Sequence, residues 1–345
     1  MQHRMTAPGP LLDERGRLAE RGYATELIKT YDRSRVRASA LRIKEWDYYC
    51  VVSDCYALAL TVADNGYMGM DSVSLLDWRG ENAWEQTASR MSLLPLGRRK
   101  LPSTSRVGDV RAQGRHHALT FENDGKRRRL YGHMAGFRDG KPLEFDLTLT
   151  CAPRDSMVIA TPFPDNPRAF YYNQKINCLR AEGKAVWNGQ EYLFAPAHSF
   201  AVLDWGRGVW TYDNTWYWGS ASGLAGGVPF GFNIGYGFGD TGAASENMLF
   251  YDGTAHKLSQ VRFEIPRKDG RDDYLSPWRF TSDDGRFEMA FAPIIDRCAD
   301  LDFKLICSKQ HQVFGRFTGT AVLDDGRAIT VRDFPGFAEK VRNKW

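Results

Sequence analysis

Between Val202 and Gly223 the chain reads VLDWGRGVWTYDNTWYWGSASG, which gathers Trp205, Trp210, Trp216 and Trp218 within fourteen residues beside Asp204 and Arg207. Tryptophan and tyrosine offer broad apolar faces with a single polar edge, so such a cluster suits an apolar ligand whose one polar group is held in place. A carboxyl among aromatic rings loses hydration and rises in pKa, which would make Asp204 a general acid, whereas an ion pair with Arg207 would keep it ionised. Glu246, in SENMLFYDG, is a second carboxyl in apolar company, and Asn173 and Lys175 in FYYNQK and Asn233 in FGFNIGYGFGD are further polar groups so placed. Buried, each needs a partner. The expected site therefore has Asp204 and Glu246 as catalytic carboxyls, with Arg207, Trp210, Tyr212, Trp216, Trp218, Asn233, Asn173 and Lys175 binding the substrate. Alternation along extended strands would put Trp210 with Tyr212 on one face and Trp216 with Trp218 on another. The structural alternative is as concrete: tryptophans fill barrel cores, and an Asp-x-x-Arg pair satisfies a buried turn.

The elements that must position these residues are strands. Asn-Gly or Asp-Gly pairs begin at Asn65, Asp124, Asp139, Asn188, Asp252, Asp269, Asp284 and Asp325, and such pairs supply the positive φ angles of tight hairpins. Leu143, Phe145, Leu147, Leu149 and Cys151 alternate with Glu144, Asp146, Thr148 and Thr150, and Val261, Phe263 and Ile265 alternate with Arg262 and Glu264. That period of two marks half-buried antiparallel strands. Helical periodicity is confined to Ala24–Ala38 and Phe337–Arg342. The result is an all-β chain with few short helices, in which strands close into barrels because closure removes exposed edges. The Pro-containing ATPFPDNPR stretch, Ala160–Arg168, interrupts the strand pattern, so a domain boundary is expected between 160 and 200, with residues 1–180 and 181–345 as the two units. The aromatic pocket belongs to the second unit. Lys44-Glu45-Trp46-Asp47 is expected to be structural, pinning a barrel entrance or the inter-domain face.

Composition narrows the functional classes. With 46 basic and 42 acidic residues the net charge is only +4, and the signs are mixed, so no global field favours nucleic acid. The most basic run, Lys126-Arg127-Arg128-Arg129, follows the Asp124-Gly125 turn and reads as a solvated hairpin edge. Six scattered cysteines without a C-x-x-C pair are expected to be reduced and mostly buried. No leader-like or membrane-spanning apolar stretch is present, and the cytoplasm is the expected compartment. There is no Walker-type phosphate loop. Gly235-Tyr236-Gly237-Phe238-Gly239 lacks the strand-to-helix setting of a dinucleotide fingerprint, and Gly219-Ser220-Ala221-Ser222-Gly223 has alanine where a nucleophile elbow needs serine. The histidines show no ligand spacing. Neither a metal nor a cofactor is expected.

RIKEWDYYCV (Arg42–Val51), PSTSRVGDV (Pro102–Val110), FYYNQKINCL (Phe170–Leu179), LDWGRGVW (Leu203–Trp210), SENMLFYDG (Ser245–Gly253) and HQVFG (His311–Gly315) resemble motifs of the bacterial family of unknown function numbered 2804 along the full length. More distantly, the order of features is similar to that of the hydroxyneurosporene synthase, tocopherol cyclase and ceramide-carrier group. Those features are Asp204 followed by Trp216 and Trp218, then Pro277-Trp278, then a Gly-containing segment ending near Glu339. That resemblance implies two lipocalin-like antiparallel β-barrel domains, and it places Asp204 at the position of the proposed acid of carotenoid hydratases. The chain departs from the group at Arg207 and at Tyr217, where relatives often carry an acidic residue.

Two functional readings follow. In one, the chain binds a lipid- or terpenoid-like small molecule in an aromatic pocket and catalyses acid-assisted hydration, cyclisation or isomerisation; Asp204 or Glu246 protonates an alkene and the tryptophan faces stabilise the developing cation. In the other it is a non-catalytic carrier of a hydrophobic ligand, with Asp204 locked to Arg207. The partner in both is an apolar small molecule.

Overall fold

A computed structural model describes residues 2–302 and 307–344. All eight Asx-Gly pairs connect neighbouring antiparallel strands, and loop length sorts them. At Asp139, Asn188, Asp252 and Asp269 two-residue loops join Arg138 to Lys141, Trp187 to Gln190, Tyr251 to Thr254 and Lys268 to Arg271. There both the Asx residue and its glycine take positive φ, as a two-residue turn matched to strand twist requires. In the longer loops at Asn65, Asp124, Asp284 and Asp325 only the glycine does.

The strands form two large sheets. The first runs Trp84–Leu93, Met68–Asp77, Tyr56–Asp64, Ile43–Val52, Phe200–Val209, Asn166–Trp187, Lys141–Thr150, Arg128–Arg138, His117–Asn123, Val110–Gly114, and the second Thr254–Lys257, Met248–Tyr251, Val228–Tyr236, Asp213–Ala225, Ala328–Lys344, Cys307–Val322, Phe287–Asp302, Trp278–Ser282, Val261–Glu264. Both are antiparallel and curled, as two lipocalin-like domains require. The first sheet curls until its outer strand Trp84–Leu93 lies beside Arg128–Arg138, where Arg90 donates to the Ala135 carbonyl at 2.9 Å and the Arg138 guanidinium covers the Trp84 ring. No helix among the described residues is long and apolar enough to cross a membrane.

Neither expected helix forms. Phe337–Arg342 lies inside strand Ala328–Lys344, paired on both sides, and Ala24–Ala38 holds the end of strand Gly22–Ala24, strand Lys29–Thr30 and a single 3-10 turn at Arg33–Arg35. Two flanking strands satisfy the backbone of residues 337–342, which outweighs the weak local helical preference. The passage between the sheets falls at Trp210–Tyr212, so strands Gln190–Phe194 and Phe200–Val209, beyond the expected boundary at 180/181, hydrogen-bond into the first sheet. Of the cysteines, Cys50, Cys178 and Cys307 are buried, Cys55 is half-buried, and Cys151 and Cys298 are exposed; none forms a disulfide.

Because strands Phe200–Val209 and Asp213–Ala225 are interior to their sheets and only three residues apart, the two sheets meet along them. Every residue of Phe200–Val209 is buried, on both faces. At a bulge in Asn166–Trp187, Cys178 adopts φ +60°, turning Asn177 toward the second sheet, where its amide donates to Ser220 Oγ at 2.8 Å and the Phe232 carbonyl at 3.0 Å. The second sheet encloses its own phenylalanine core, including Phe232, Phe287, Phe291 and Phe317, with ring centroids 4.5–5.0 Å apart.

Gly206 makes the seam close. A Cβ there would sit 2.0 Å from the Trp46 ring, which lies flat across the strand at its register partner. We therefore expect Gly206→Ala to destabilise the fold by about 1–3 kcal/mol, the usual cost of overpacking, and to reorient Trp46. Urea unfolding and near-ultraviolet circular dichroism measure the two effects.

Candidate functional site between the sheets

Asp204 and Arg207 are three residues apart on one strand, so they point to opposite faces. They do not pair, contrary to the expectation from the Asp-x-x-Arg spacing. Arg207 is fully buried on the face turned away from the second sheet. It donates to Asp47 Oδ1 at 2.9 Å, the Trp46 carbonyl at 2.7 Å, the Gly206 carbonyl at 2.8 Å and the Pro102 carbonyl at 2.7 Å, while its guanidinium covers the Trp205 ring. Burial raises the Asp47 carboxyl, and the Arg207 charge and hydrogen bond pull it back down. The Pro102 segment is anchored again through Ser105, whose carbonyl accepts from Arg128 at 2.7 Å and Asn123 at 2.8 Å. Arg207 is thus a structural latch that holds the 102–105 loop, and Arg128 is a buried companion of it, not part of a solvated edge. Glu45 belongs to the same interior, bonded to Tyr31 at 2.8 Å and Arg33 at 2.5 Å. Lys44 lies on the other face of its strand but reaches the Asn65 carbonyl at 2.7 Å.

Asp204 faces the second sheet. Its cross-strand partner Lys175 approaches Oδ1 at 2.8 Å and Asn173 donates to the same oxygen at 2.6 Å. The Lys175 ammonium also lies 4.0 Å from the Trp218 ring, a cation–π contact across the seam. Trp218 Nε1 donates to Asn233 Oδ1 at 2.7 Å, and Asn233 donates to the Glu246 carbonyl at 2.9 Å. Trp216 Nε1 donates to Glu339 at 3.0 Å, Gln312 donates to the second Glu339 oxygen at 2.9 Å, and the Tyr48 hydroxyl donates to Gln312 at 3.2 Å. Trp210 closes one side against Trp46, Tyr171 and Trp216, and Phe238 stacks on Tyr171 with ring centroids 4.6 Å apart.

The electrostatics are those of acids kept neutral. Burial pushes the Glu246 carboxyl up to about 7; Lys175 lowers it and Asp204 raises it. Burial likewise pushes Glu339 up to about 7, against the Trp216 hydrogen bond, Arg297 and Lys175, and with Asp204. Burial, then Glu246, Asp204 and Glu339, hold the Tyr171 hydroxyl far above its ordinary range. Four atoms of this group, Tyr171 Oη, Glu246 Oε1, Asn173 Oδ1 and Trp210 Nε1, are buried without a hydrogen-bond partner. An unpartnered buried polar atom costs about 1–3 kcal/mol, and the seam carries several of them near Glu246.

Of the expected site residues, Asp204, Glu246, Trp210, Trp216, Trp218, Asn233, Asn173 and Lys175 come together, in the seam and not within the second sheet. Arg207 and Tyr212 do not. Tyr212 is 43% exposed because strand Phe200–Val209 ends before Trp210, so alternation no longer ties the two rings to one face. Tyr171, Glu339, Tyr48, Gln312, Trp46 and Phe238 were not foreseen. Tyr171 carried a usable signal, since it shares a face with Asn173 and Lys175 at intervals of two. Glu339 was hidden by a helical reading, and Gln312 carries no local signal at all.

The family model described as a domain of unknown function, DUF2804, matches residues 2–345. The chain belongs to the DUF2804 family. Comparison with curated protein sequences finds no match. Among solved structures, an AttH-like protein from Nitrosomonas europaea is similar at 15% identity and a TM-score of 0.56, over 90% of this chain and 97% of that one. Kievitone hydratase from Nectria haematococca is similar at 12% identity and a TM-score of 0.53, over 93% of this chain and 97% of that one. These likenesses establish the shared fold.

Arg207→Ala leaves Asp47 buried without its cation, and we expect a loss of about 3–5 kcal/mol in denaturant unfolding that Arg207→Lys does not restore, because an ammonium cannot span the same four acceptors. The acids give a pH signature. An unfolded glutamate titrates near 4.5 and folded Glu246 near 7, so the folded state holds the extra proton between those values. Stability of the wild type relative to Glu246→Gln should fall as pH rises from about 4.5 to about 7 and level off above, as measured by unfolding across that range.

Proposed function

We propose that the seam between the sheets binds an apolar small molecule carrying one polar group, and that Glu246 acts on it as a general acid. The observation that carries this reading is Glu246 itself: a fully buried carboxyl held near 7, with one oxygen unpartnered, beside the unpartnered Tyr171 hydroxyl. A carboxylic acid whose pKa matches neutral pH is protonated often enough to donate and basic enough to recover the proton. Asp204 is less suited, because Lys175 and Asn173 already occupy Oδ1. Glu339 is less suited for the same reason, with a donor on each oxygen.

For an alkene substrate the steps balance simply. The Glu246 proton adds to one alkene carbon, leaving a carbocation beside the faces of Trp210 and Trp216, which stabilise positive charge. Water then bonds to the cationic carbon and returns a proton to the Glu246 carboxylate, giving an alcohol. Attack by an internal hydroxyl, which gives its proton to the Glu246 carboxylate, yields a cyclic ether. Attack by an internal double bond yields a ring with a new cation that loses a neighbouring proton to the carboxylate, and direct loss of a neighbouring proton to the carboxylate yields an isomer. A hydratase stands among the proteins of this fold, so the scaffold is compatible with such chemistry. Access would pass Phe238, which sits between Gly237 and Gly239, both at positive φ.

A carrier is the second reading, favoured by the saturation of Asp204 Oδ1 and of both Glu339 oxygens by protein donors. Native mass spectrometry of protein purified from its host, followed by identification of the co-purifying molecule, supplies the ligand for the test. With that ligand, Glu246→Gln should keep binding within about twofold and lower turnover by about 10²- to 10⁴-fold, the ordinary worth of a general acid. Binding without turnover by the wild type would establish the carrier, and absence of any bound apolar molecule would overturn both readings.

A further inference from the structure

The segment Met91-Ser92-Leu93-Leu94-Pro95-Leu96-Gly97-Arg98-Arg99-Lys100 leaves the end of the first sheet's outer strand and exposes its apolar side chains. Leu93 is 85% exposed, Met91 58%, Leu94 48% and Leu96 37%. These are not scattered singly. Leu94 N donates to the Tyr67 carbonyl and Leu96 N to the Gly66 carbonyl, and Gly66 packs against Leu41, itself 44% exposed, so the leucines of two segments share one tip. The backbone is held in an unfavourable form to present them: Leu94, Leu96 and Lys100 all lie in the left-handed region, at φ +50°, +51° and +50°. For a leucine that conformation costs about 1–2 kcal/mol and brings no burial here.

The charges around this tip are mainly basic. Residues 32–42 and 91–100 contain Arg33, Arg35, Arg37, Arg42, Arg98, Arg99 and Lys100 against one acid, the exposed Asp32. The two segments are packed together, since Gly97 lies directly against the Arg33 guanidinium. Glu45 and Asp71 neutralise Arg33 and Arg99, both from buried positions beneath the tip. Exposed leucines within a basic rim are the composition of a surface that inserts shallowly into lipid while its cations meet anionic headgroups. A protein–protein docking site would not need the basic excess left at Arg98 and Lys100, and a nucleic-acid site would need aromatic platforms in place of leucines.

We infer that this tip docks the protein on the surface of an anionic bilayer. The placement connects to the seam through the next residue: Arg42, adjacent to Leu41, donates to the Trp210 carbonyl at 2.5 Å. If the seam handles an apolar molecule, as proposed above, docking places it beside the phase in which such molecules reside, although the docking itself stands independently of that reading.

The test is co-sedimentation of the full chain with vesicles of phosphatidylcholine alone and of phosphatidylcholine with 30% phosphatidylglycerol. Binding is expected to the anionic vesicles, weakening at least tenfold in 0.5 M salt. Leu93→Ser combined with Leu94→Asn and Leu96→Asn should reduce it at least tenfold while keeping the melting temperature at or above wild type, because asparagine accepts the left-handed conformation. Arg98→Glu with Lys100→Glu should reduce it similarly. No binding by the wild type, or binding that survives both sets of substitutions, overturns the inference. So does a wild-type dimer in light scattering that the leucine variant dissociates, which would make the tip a contact between copies of this chain. Loss of vesicle binding with ligand binding in the seam intact separates this inference from the proposed function.

Discussion

Strand Phe200–Val209 is covered on both faces, and most of what is particular to this protein follows from that. A strand buried on one side can turn its polar residues to water; this one cannot, so Asp204 and Arg207 must each find a partner in a different interior. Arg207 finds Asp47 and a set of carbonyls, and Asp204 finds Lys175 and Asn173. Neither pair could be exchanged for a local Asp204–Arg207 bridge without pushing one side chain through the sheet. The glycines at 206 and 208 belong to the same constraint: they clear the face on which Trp46 and Trp210 lie, letting the second sheet approach.

Burying one ion pair in the seam conditions the neighbouring groups. Lys175 offsets Asp204, and each further carboxyl brought into the space is more costly to ionise than the last. Burial holds Glu246 and Glu339 up at about 7, with Lys175 pulling both down and Asp204 pushing both up, and burial ahead of the neighbouring carboxyls holds Tyr171 as a phenol. Acidic groups kept neutral in an aromatic surround are chemically more versatile than the same groups at a surface, because they can donate protons at physiological pH. The phenylalanine core of the second sheet is a cluster of its own, whereas the seam rings Tyr171, Trp210, Trp218 and Phe238 are continuous with the core of the first sheet.

The two domains also use their interiors differently. The first fills the far face of its central strands with a charged lattice of Asp47, Arg207, Arg128 and Glu45 that fixes the 102–105 loop. The second packs rings on rings. Buried side-chain atoms without a partner occur in the charged lattice as well, at Arg207 Nε, Arg128 Nε and, beside Glu45, Arg33 Nη2. In a fold known for ligand sites at barrel mouths, the polar convergence here lies between two sheets, at their shared central strands.

Sequence by itself determined the local grammar. Turn positions follow from Asx-Gly pairs because positive φ is a property of the residue, and strand faces follow from alternation because side chains must point to opposite sides. It also determined which residues were chemically conspicuous, so Asp204, Glu246, Lys175, Asn173, Asn233, Trp216 and Trp218 were legible from their apolar surroundings. Only the tertiary structure decided which of them meet. Arg207 was misread because its partner, Asp47, is distant in sequence, and Tyr212 because a strand end cannot be read from alternation alone. Glu339 and Gln312 enter from the last two long strands of the chain, and no local pattern encodes a register across more than a hundred residues. Whether a buried carboxyl becomes an ion-pair partner or a neutral acid depends on the charges brought within reach by that register, which is a property of the assembled sheets.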